Sequence, residues 1–274
     1  VNRWRYIEDG MRDGAYNMAV DTALLRTCEE DATFAPTLRL YGWRAPTLSI
    51  GYSQPVEREI DLKRCREAGI EWVRRPTGGR ALLHRQELTY SLVGPVTHPL
   101  FCGGLKATYA AVSRALLGGL EELGISGACI NPGGKPSASA RAARSPACFA
   151  SLNHCEITVH GRKLIGSAQR RTQRAFLQHG SILIDTDPDL FHSLLVHAGG
   201  AAGEAALDRL KAATITLNEI MQPPPAFEPV RDGFYRGMAA YFGGDWRKGG
   251  LTGAERALCE SILERHRTTA GTAL

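Results

Sequence analysis

The chain has 274 residues, of which 43% are hydrophobic and 22% charged, with a formal net charge of +5. That length and apolar content exclude a disordered chain and predict a globular fold, while the lack of any apolar run near 20 residues excludes a membrane span. The positive balance suits an acidic partner. Without an RNP-like aromatic pattern, zinc-finger spacing or a dense Lys/Arg run, that partner is expected to be a protein rather than a nucleic acid.

The opening residues VNRWRYIEDG lack the charged-then-apolar pattern of a signal peptide, which predicts a cytoplasmic protein. From Gly14 to Glu30, Met18, Ala19, Thr22 and Leu25 fall near helical spacing in a stretch too apolar to stand free, predicting a helix packed on a sheet. TLRLYGW and TLSIGYS are β-prone runs separated by Arg44-Ala45-Pro46, and EREIDLKRCREAGI predicts one polar helix ending near Gly69. EWVRRPTGGRALLHRQELTYSLV then gives strand, loop, strand, turn, strand around Pro-Thr-Gly-Gly. Val112, Leu116, Leu120 and Leu123 predict a helix from Tyr109 to Gly124 despite Gly118 and Gly119.

Residues 131 to 147 have the Gly, Pro, Ser, Ala and Arg composition of a mobile loop. After it, CEITVHGRKLIGSAQ and AFLQHGSILID alternate like paired strands, with His160-Gly161 as a tight turn. Beyond Asp185 the pattern is helical at Pro188 to His197, Thr216 to Met221, Pro229 to Phe242 and Ala254 to Arg267, with a capping box at Thr252 and Glu255. The expected fold class is α+β, a mixed β-sheet flanked by helices, in a single domain over 1–274 whose residues 186–274 are mainly helical.

Three groups of residues carry possible chemistry. In Arg74-Arg75-Pro76-Thr77-Gly78-Gly79-Arg80, two backbone-permissive glycines beside three cations let main-chain N–H groups approach an anionic or carbonyl oxygen, although a plain hairpin turn has the same composition. No Gly-Lys-Ser/Thr follows, so this is not a Walker loop. His84 on the same run either orients a ligand or satisfies a buried hydrogen bond, and the same choice applies to His154, His160 and His179. Seven scattered cysteines predict reduced thiols and no disulfide framework; His154 and Cys155 adjoin without a second pair at zinc spacing. Cys148 stands where the loop enters the sheet, and Lys163 follows the His160-Gly161 turn, where a lysine cation near a thiol favours the thiolate.

The segments RRPTGGRALLHRQELTYSLV, ACF (Ala147 to Phe149), EITVHGRKLIGSAQRR and LQHGSILID, with AYNMAVDTALL and TLSIGYSQ upstream, make the chain resemble the lipoyl/biotinyl-ligase-like superfamily. Within it the chain is most similar to the octanoyl-acyl-carrier-protein:protein octanoyltransferases of the LipM type, given Arg80 in place of a third glycine and a cysteine at Cys148. The resemblance implies a lipoate/biotin ligase-like catalytic fold with no cofactor and no metal. It also implies octanoyl transfer from octanoyl-acyl carrier protein to a lysine of a lipoyl domain or glycine-cleavage H protein. Cys148 is then the thioester nucleophile and Lys163 the residue that lowers its pKa and later acts as base. Arg75, Thr77, Gly78, Gly79, His84, Gly166, Ser167 and Ala168 are the implied substrate contacts. Leu152 to Cys155 departs from the family pattern and leaves Cys155 as a rival thiol. An ATP-dependent lipoate ligase, an amidotransferase acting between lipoyl domains and a non-catalytic binding module are the alternatives.

Overall fold

A computed structural model describes residues 3–131, 156–196 and 199–271. In chain order the elements are β1 (Arg3–Arg12), α1 (Gly14–Glu30), β2 (Thr37–Trp43), β3 (Thr47–Ile50), α2 (Val56–Glu59), α3 (Leu62–Glu67), β4 (Glu71–Arg74), β5 (Leu82–His84), β6 (Glu87–Pro95) and α4 (Gly104–Glu122). There follow β7 (Ala128–Ile130), β8 (Ile157–Val159), β9 (Arg162–Arg171), β10 (Ala175–Leu183), α5 (Pro188–Ser193), α6 (Gly200–Ala213), α7 (Leu217–Ile220), α8 (Phe227–Phe242), β11 (Asp245–Gly249) and α9 (Gly253–Gly271).

Eight strands form one mixed sheet in the order β11-β1-β2-β6-β10-β9-β8-β7, and β4-β3-β5 form a second, smaller sheet. Strand alternation assigns the faces of the large sheet. Leu38, Leu40, Leu88, Tyr90 and Leu92 join Val112, Leu116 and Leu120 of α4 and Val230, Phe234 and Met238 of α8 in one core. Ile7, Val93 and Leu177 join Val20, Ala23 and Leu24 of α1 and Cys259 and Ile262 of α9 on the other. A third core lies behind the small sheet, where Leu48, Ile50 and Leu83 meet Cys65, Phe191 and Leu210.

The glycines inside α4 have a packing reason. A Cβ at Gly118 would sit 3.1 Å from the Gly237 carbonyl oxygen, and one at Gly119 would sit 2.5 Å from the Phe234 ring, so α4 and α8 touch backbone to backbone. His160 (φ 52°) and Gly161 (φ 74°) make the two-residue turn of the β8–β9 hairpin, as expected.

Several local expectations are corrected. The polar helix of 57–70 is two short helices, because Ile60 bridges Leu195 and the Asp61 carboxylate accepts from the amides of Lys63 and Arg64, starting a new helix. β2 and β3 follow one another yet lie in different sheets. α4 begins at Gly104 rather than Tyr109. β1, β7, β11 and α6 were not anticipated, and β11 returns the C-terminal third to the sheet in parallel with β1. Cys148, Cys155, His154 and nearly all of the expected mobile loop lie outside the described residues. Among the described residues no helix is long and apolar enough to cross a membrane.

Candidate active site

The α1 face of the large sheet and the inner face of the small sheet enclose a cleft with about 420 Å³ of unfilled space, part of it open to solvent. Arg75, His84, Gly166, Ser167 and Ala168 line it, five of the residues singled out in the sequence. Thr77 is buried at its margin, while Gly78 and Gly79 form the exposed turn of the loop. Gly79 has φ +97°, a conformation that L side chains rarely adopt, and a side chain at Gly51 would run into the Gly79 carbonyl.

The arginines of the loop act on the protein itself. Arg74 donates to the carbonyls of Gly51, Tyr52 and Gln54. Arg75 donates through Nε and Nη2 to the Gly78 carbonyl, through Nη2 also to that of Arg80, and through Nη1 to Ser49 Oγ at 3.0 Å. Its guanidinium therefore fixes the Thr-Gly-Gly-Arg turn against β3.

Two hydroxyl–imidazole–carboxylate relays span the cleft. In the first, His179 Nδ1 lies 2.9 Å from Asp21 Oδ2 and Nε2 lies 2.6 Å from Thr77 Oγ1. Burial alone would raise Asp21, but the hydrogen bond from His179 and the charge of Arg39 outweigh it and hold the carboxyl below its ordinary value. Burial holds His179 below its ordinary value. Asp21 is thus an acceptor only, Nδ1 carries the imidazole proton, and the Thr77 hydroxyl donates to Nε2. Arg39 and Tyr41 also donate to Asp21, so α1, β2, β10 and the loop are joined through one carboxylate.

In the second relay, His84 Nδ1 lies 2.8 Å from Glu87 Oε1 and Nε2 lies 2.7 Å from Ser49 Oγ. Thr89 and Ser181 donate to the same Glu87 oxygen, and the Trp43 indole donates to Thr89 while its ring stacks on His84 at 3.8 Å. Burial would raise Glu87, but His84 and the two hydroxyls keep it below its ordinary value. The Ser167 hydroxyl pairs with Tyr90 of the opposite core. With these polar atoms turned toward one another, carbon dominates the walls of the cleft.

Lys163 sits on β9, three residues and about 10 Å of strand before the cleft wall at Gly166. It is fully buried, with Nζ 2.6 Å from Glu156 Oε1. Sequence reasoning did not single out Asp21, Ser49, Glu87 or Glu156. The acid at Asp21 within the apolar stretch AYNMAVDTALL was the one available signal, and His179 was seen without its partners.

The lipoyl protein ligase A/B catalytic domain model matches residues 13–239. Octanoyltransferase LipM of Geobacillus kaustophilus is 38% identical over 260 residues, covering 94% of this chain and 93% of its own. Octanoyltransferase LipM of Symbiobacterium thermophilum is 39% identical over 261 residues, covering 95% and 94%. A lipoate-protein ligase A bound with ATP superposes with a TM-score of 0.75 at 23% identity, covering 96% of this chain and 94% of that one. The bipartite lipoate protein ligase of Thermoplasma acidophilum gives 0.79 at 20%, covering 96% and 93%, and both structures share this fold.

Proposed function

The chain belongs to the lipoyl protein ligase A/B catalytic-domain family and is an octanoyltransferase within it, and from that premise we propose that the octanoyl group travels as a thioester on Cys148. The donor is octanoyl-acyl carrier protein and the acceptor a lysine of a lipoyl domain or of glycine-cleavage H protein. The observation that carries this route is the buried Lys163 beside Glu156, on the hairpin that follows the Cys148 segment.

A free thiol with a pKa of about 8.5 is only a few per cent ionised at neutral pH, so a cation beside it raises the fraction of nucleophile. The thiolate attacks the donor carbonyl, a new C–S bond forms on Cys148, and the carrier thiolate leaves and takes up a proton. Amides of Gly78 and Gly79, or of the strand near Lys163, hold the oxyanion. The acceptor amine then attacks, the C–N bond forms and the Cys148 sulfur is released. The carbon-walled cleft receives the chain, where about six buried methylenes at roughly 0.8 kcal/mol each contribute about 5 kcal/mol. A reducing compartment such as the cytoplasm keeps the thiol available.

The test is the intact mass of the protein after mixing with octanoyl-acyl carrier protein in the absence of ATP, for the parent, Cys148→Ala and Cys155→Ala. A hydroxylamine-labile octanoyl adduct that only Cys148→Ala abolishes is expected. Absence of the adduct, with acceptor modification that requires ATP and free octanoic acid, overturns the route in favour of a ligase.

A further inference from the structure

Charge is spread unevenly along the chain. Residues 72–184 carry 14 lysines and arginines against four carboxylates, whereas the remaining segments carry 19 against 24. Of the four, Glu87 and Glu156 are buried against His84 and Lys163, and Glu121 and Glu122 close α4 on the sheet face opposite the cleft. The cleft side of this stretch is therefore rich in cations and poor in anions.

Strand β9 brings part of that charge to the rim of the cleft. Gly166, Ala168 and Arg170 alternate onto one face, and because Gly166 and Ala168 line the cleft, Arg170 stands about 7 Å beyond Ala168 along the strand. Its cross-strand partner is Leu177 of the α1-side core, on the same face. The Arg170 guanidinium lies 5.2 Å from the centre of the Tyr52 ring and donates to the Pro76 carbonyl. Tyr52 is 62% exposed, and its amide is tied to the Thr77 carbonyl at the cleft margin. Arg74 donates to the carbonyls of Gly51, Tyr52 and Gln54, and Arg174 is exposed in the β9–β10 turn. Among the described residues none of Arg74, Arg170 and Arg174 pairs with a carboxylate. Neutral carbonyls hold two of these guanidinium groups in place without cancelling their charge, which leaves it directed at an incoming anion.

From this geometry we propose that Arg74, Arg170 and Arg174, with Tyr52 joining the first two, form the seat on which the protein body of the acyl donor docks through carboxylates around the base of its acyl arm. The inference deepens the proposed function: it rests on octanoyl-acyl carrier protein being the donor, and not on which thiol receives the acyl group. The octanoyl chain enters the cleft past this rim while still attached to its carrier, so the carrier's surface lies over these residues during entry. The three charges are spread over the small sheet, the end of β9 and the β9–β10 turn, a wider area than one phosphodiester engages. Arginine and tyrosine are also the side chains on which protein interfaces concentrate their binding energy.

The test is kcat/KM for octanoyl transfer to a lipoyl domain from three donors, octanoyl-acyl carrier protein, octanoyl-phosphopantetheine and octanoyl-pantetheine, each at increasing ionic strength. For the carrier protein at low salt, Arg170→Glu/Arg174→Glu is expected to lower kcat/KM at least about tenfold, through KM, and to flatten its dependence on salt. With both small donors it is expected to stay within about twofold of the parent, which also shows that it folds. Lys63→Glu/Arg66→Glu makes the same change in net charge on exposed residues of α3, behind the small sheet, and is expected to match the parent with every donor.

An unchanged kcat/KM for the carrier protein overturns the inference, as does an equal loss in the α3 variant, which would make net charge the cause. A loss shared by octanoyl-phosphopantetheine alone among the small donors assigns the arginines to the arm's phosphate, and a loss shared by both small donors assigns them to the acyl chain or the chemistry. A rise in KM confined to the lipoyl domain moves the seat to the acceptor; each of these outcomes also overturns it. Should the parent refuse octanoyl from the carrier protein while accepting it from another donor, the donor reading fails and the seat falls with it. A parent and variant that use the carrier protein equally well remove the seat alone.

Discussion

The cleft and the Lys163–Glu156 hairpin treat buried polar groups in opposite ways. In the cleft, imidazoles, hydroxyls and carboxylates are joined into relays that end on one another: Thr77 to His179 to Asp21, and Ser49 to His84 to Glu87. Under the proposed route a chain of methylenes entering there would meet carbon, and discrimination would come from shape. At the hairpin, two opposite charges face each other at 2.6 Å within a few residues of the predicted nucleophile's segment. The difference is that the cleft turns most of its polar atoms on one another and leaves a wall of carbon, while the hairpin buries a single ion pair; under the proposed route the first would hold the acyl chain and the second would place charge near the thiol.

The largest effect that sharpens this contrast is expected at the hairpin. Lys163→Met leaves the Glu156 carboxylate buried without its cation, which costs about 3–5 kcal/mol, whereas replacing both members by apolar residues of similar volume is close to neutral. Urea unfolding should therefore show Lys163→Met strongly destabilised and Lys163→Met/Glu156→Leu near the parent. Octanoyl transfer should stay at least about a hundredfold down in both. A double variant as unstable as the single one would mean that packing, and not charge, dominates at this position.

An intermediate effect is expected from pH, and it belongs to the cleft. His179 is held below its ordinary value near 6.5, so between that value and its lowered one the unfolded chain binds a proton that the folded chain refuses. Stability is full above about pH 6.5 and declines as pH falls below it. His98, lowered by burial in the same way, adds to this decline. Asp21 and Glu87 are also held low, and their contribution is present above about pH 4 and is lost as pH falls from there toward their lowered values. Melting temperature measured from pH 8 to pH 3 should fall in two stages. His179→Gln should flatten the upper stage without abolishing it, and an unchanged upper stage would remove His179 from this account.

How much of this was legible follows from the distance over which each signal acts. The β8–β9 turn, the capping box of α9 and the strands around Pro-Thr-Gly-Gly all come from residues a few positions apart, and all appear where the sequence puts them. β1 and β11 were missed because β11, Asp245–Gly249, is a mostly exposed edge strand with little apolar alternation, and its pairing with β1 joins opposite ends of the chain. His179 and Asp21 stand 158 positions apart, so neither residue advertises the other. Glu156 and Lys163 are only seven apart, but a charge pair across a hairpin looks in sequence like two solvated side chains, and only burial distinguishes them.

The smallest effect probes whether Thr77 serves the ligand or the loop. Its hydroxyl is 2.6 Å from His179 Nε2 and its side chain is buried, so the expected substrate contact is engaged as a tie between the Thr-Gly-Gly-Arg turn and β10. Thr77→Val keeps the shape but leaves a buried imidazole nitrogen without a donor, at a cost of about 1–2 kcal/mol. Thr77→Ser keeps the donor and should stay within about 0.5 kcal/mol of the parent. If the tie holds the turn over the cleft, KM for the octanoyl donor should rise in Thr77→Val and return in Thr77→Ser, with kcat little changed in either. If Thr77→Val instead lowers kcat at constant KM, the hydroxyl acts on the reacting carbonyl, and the cleft does not stand apart from the charge chemistry of the hairpin.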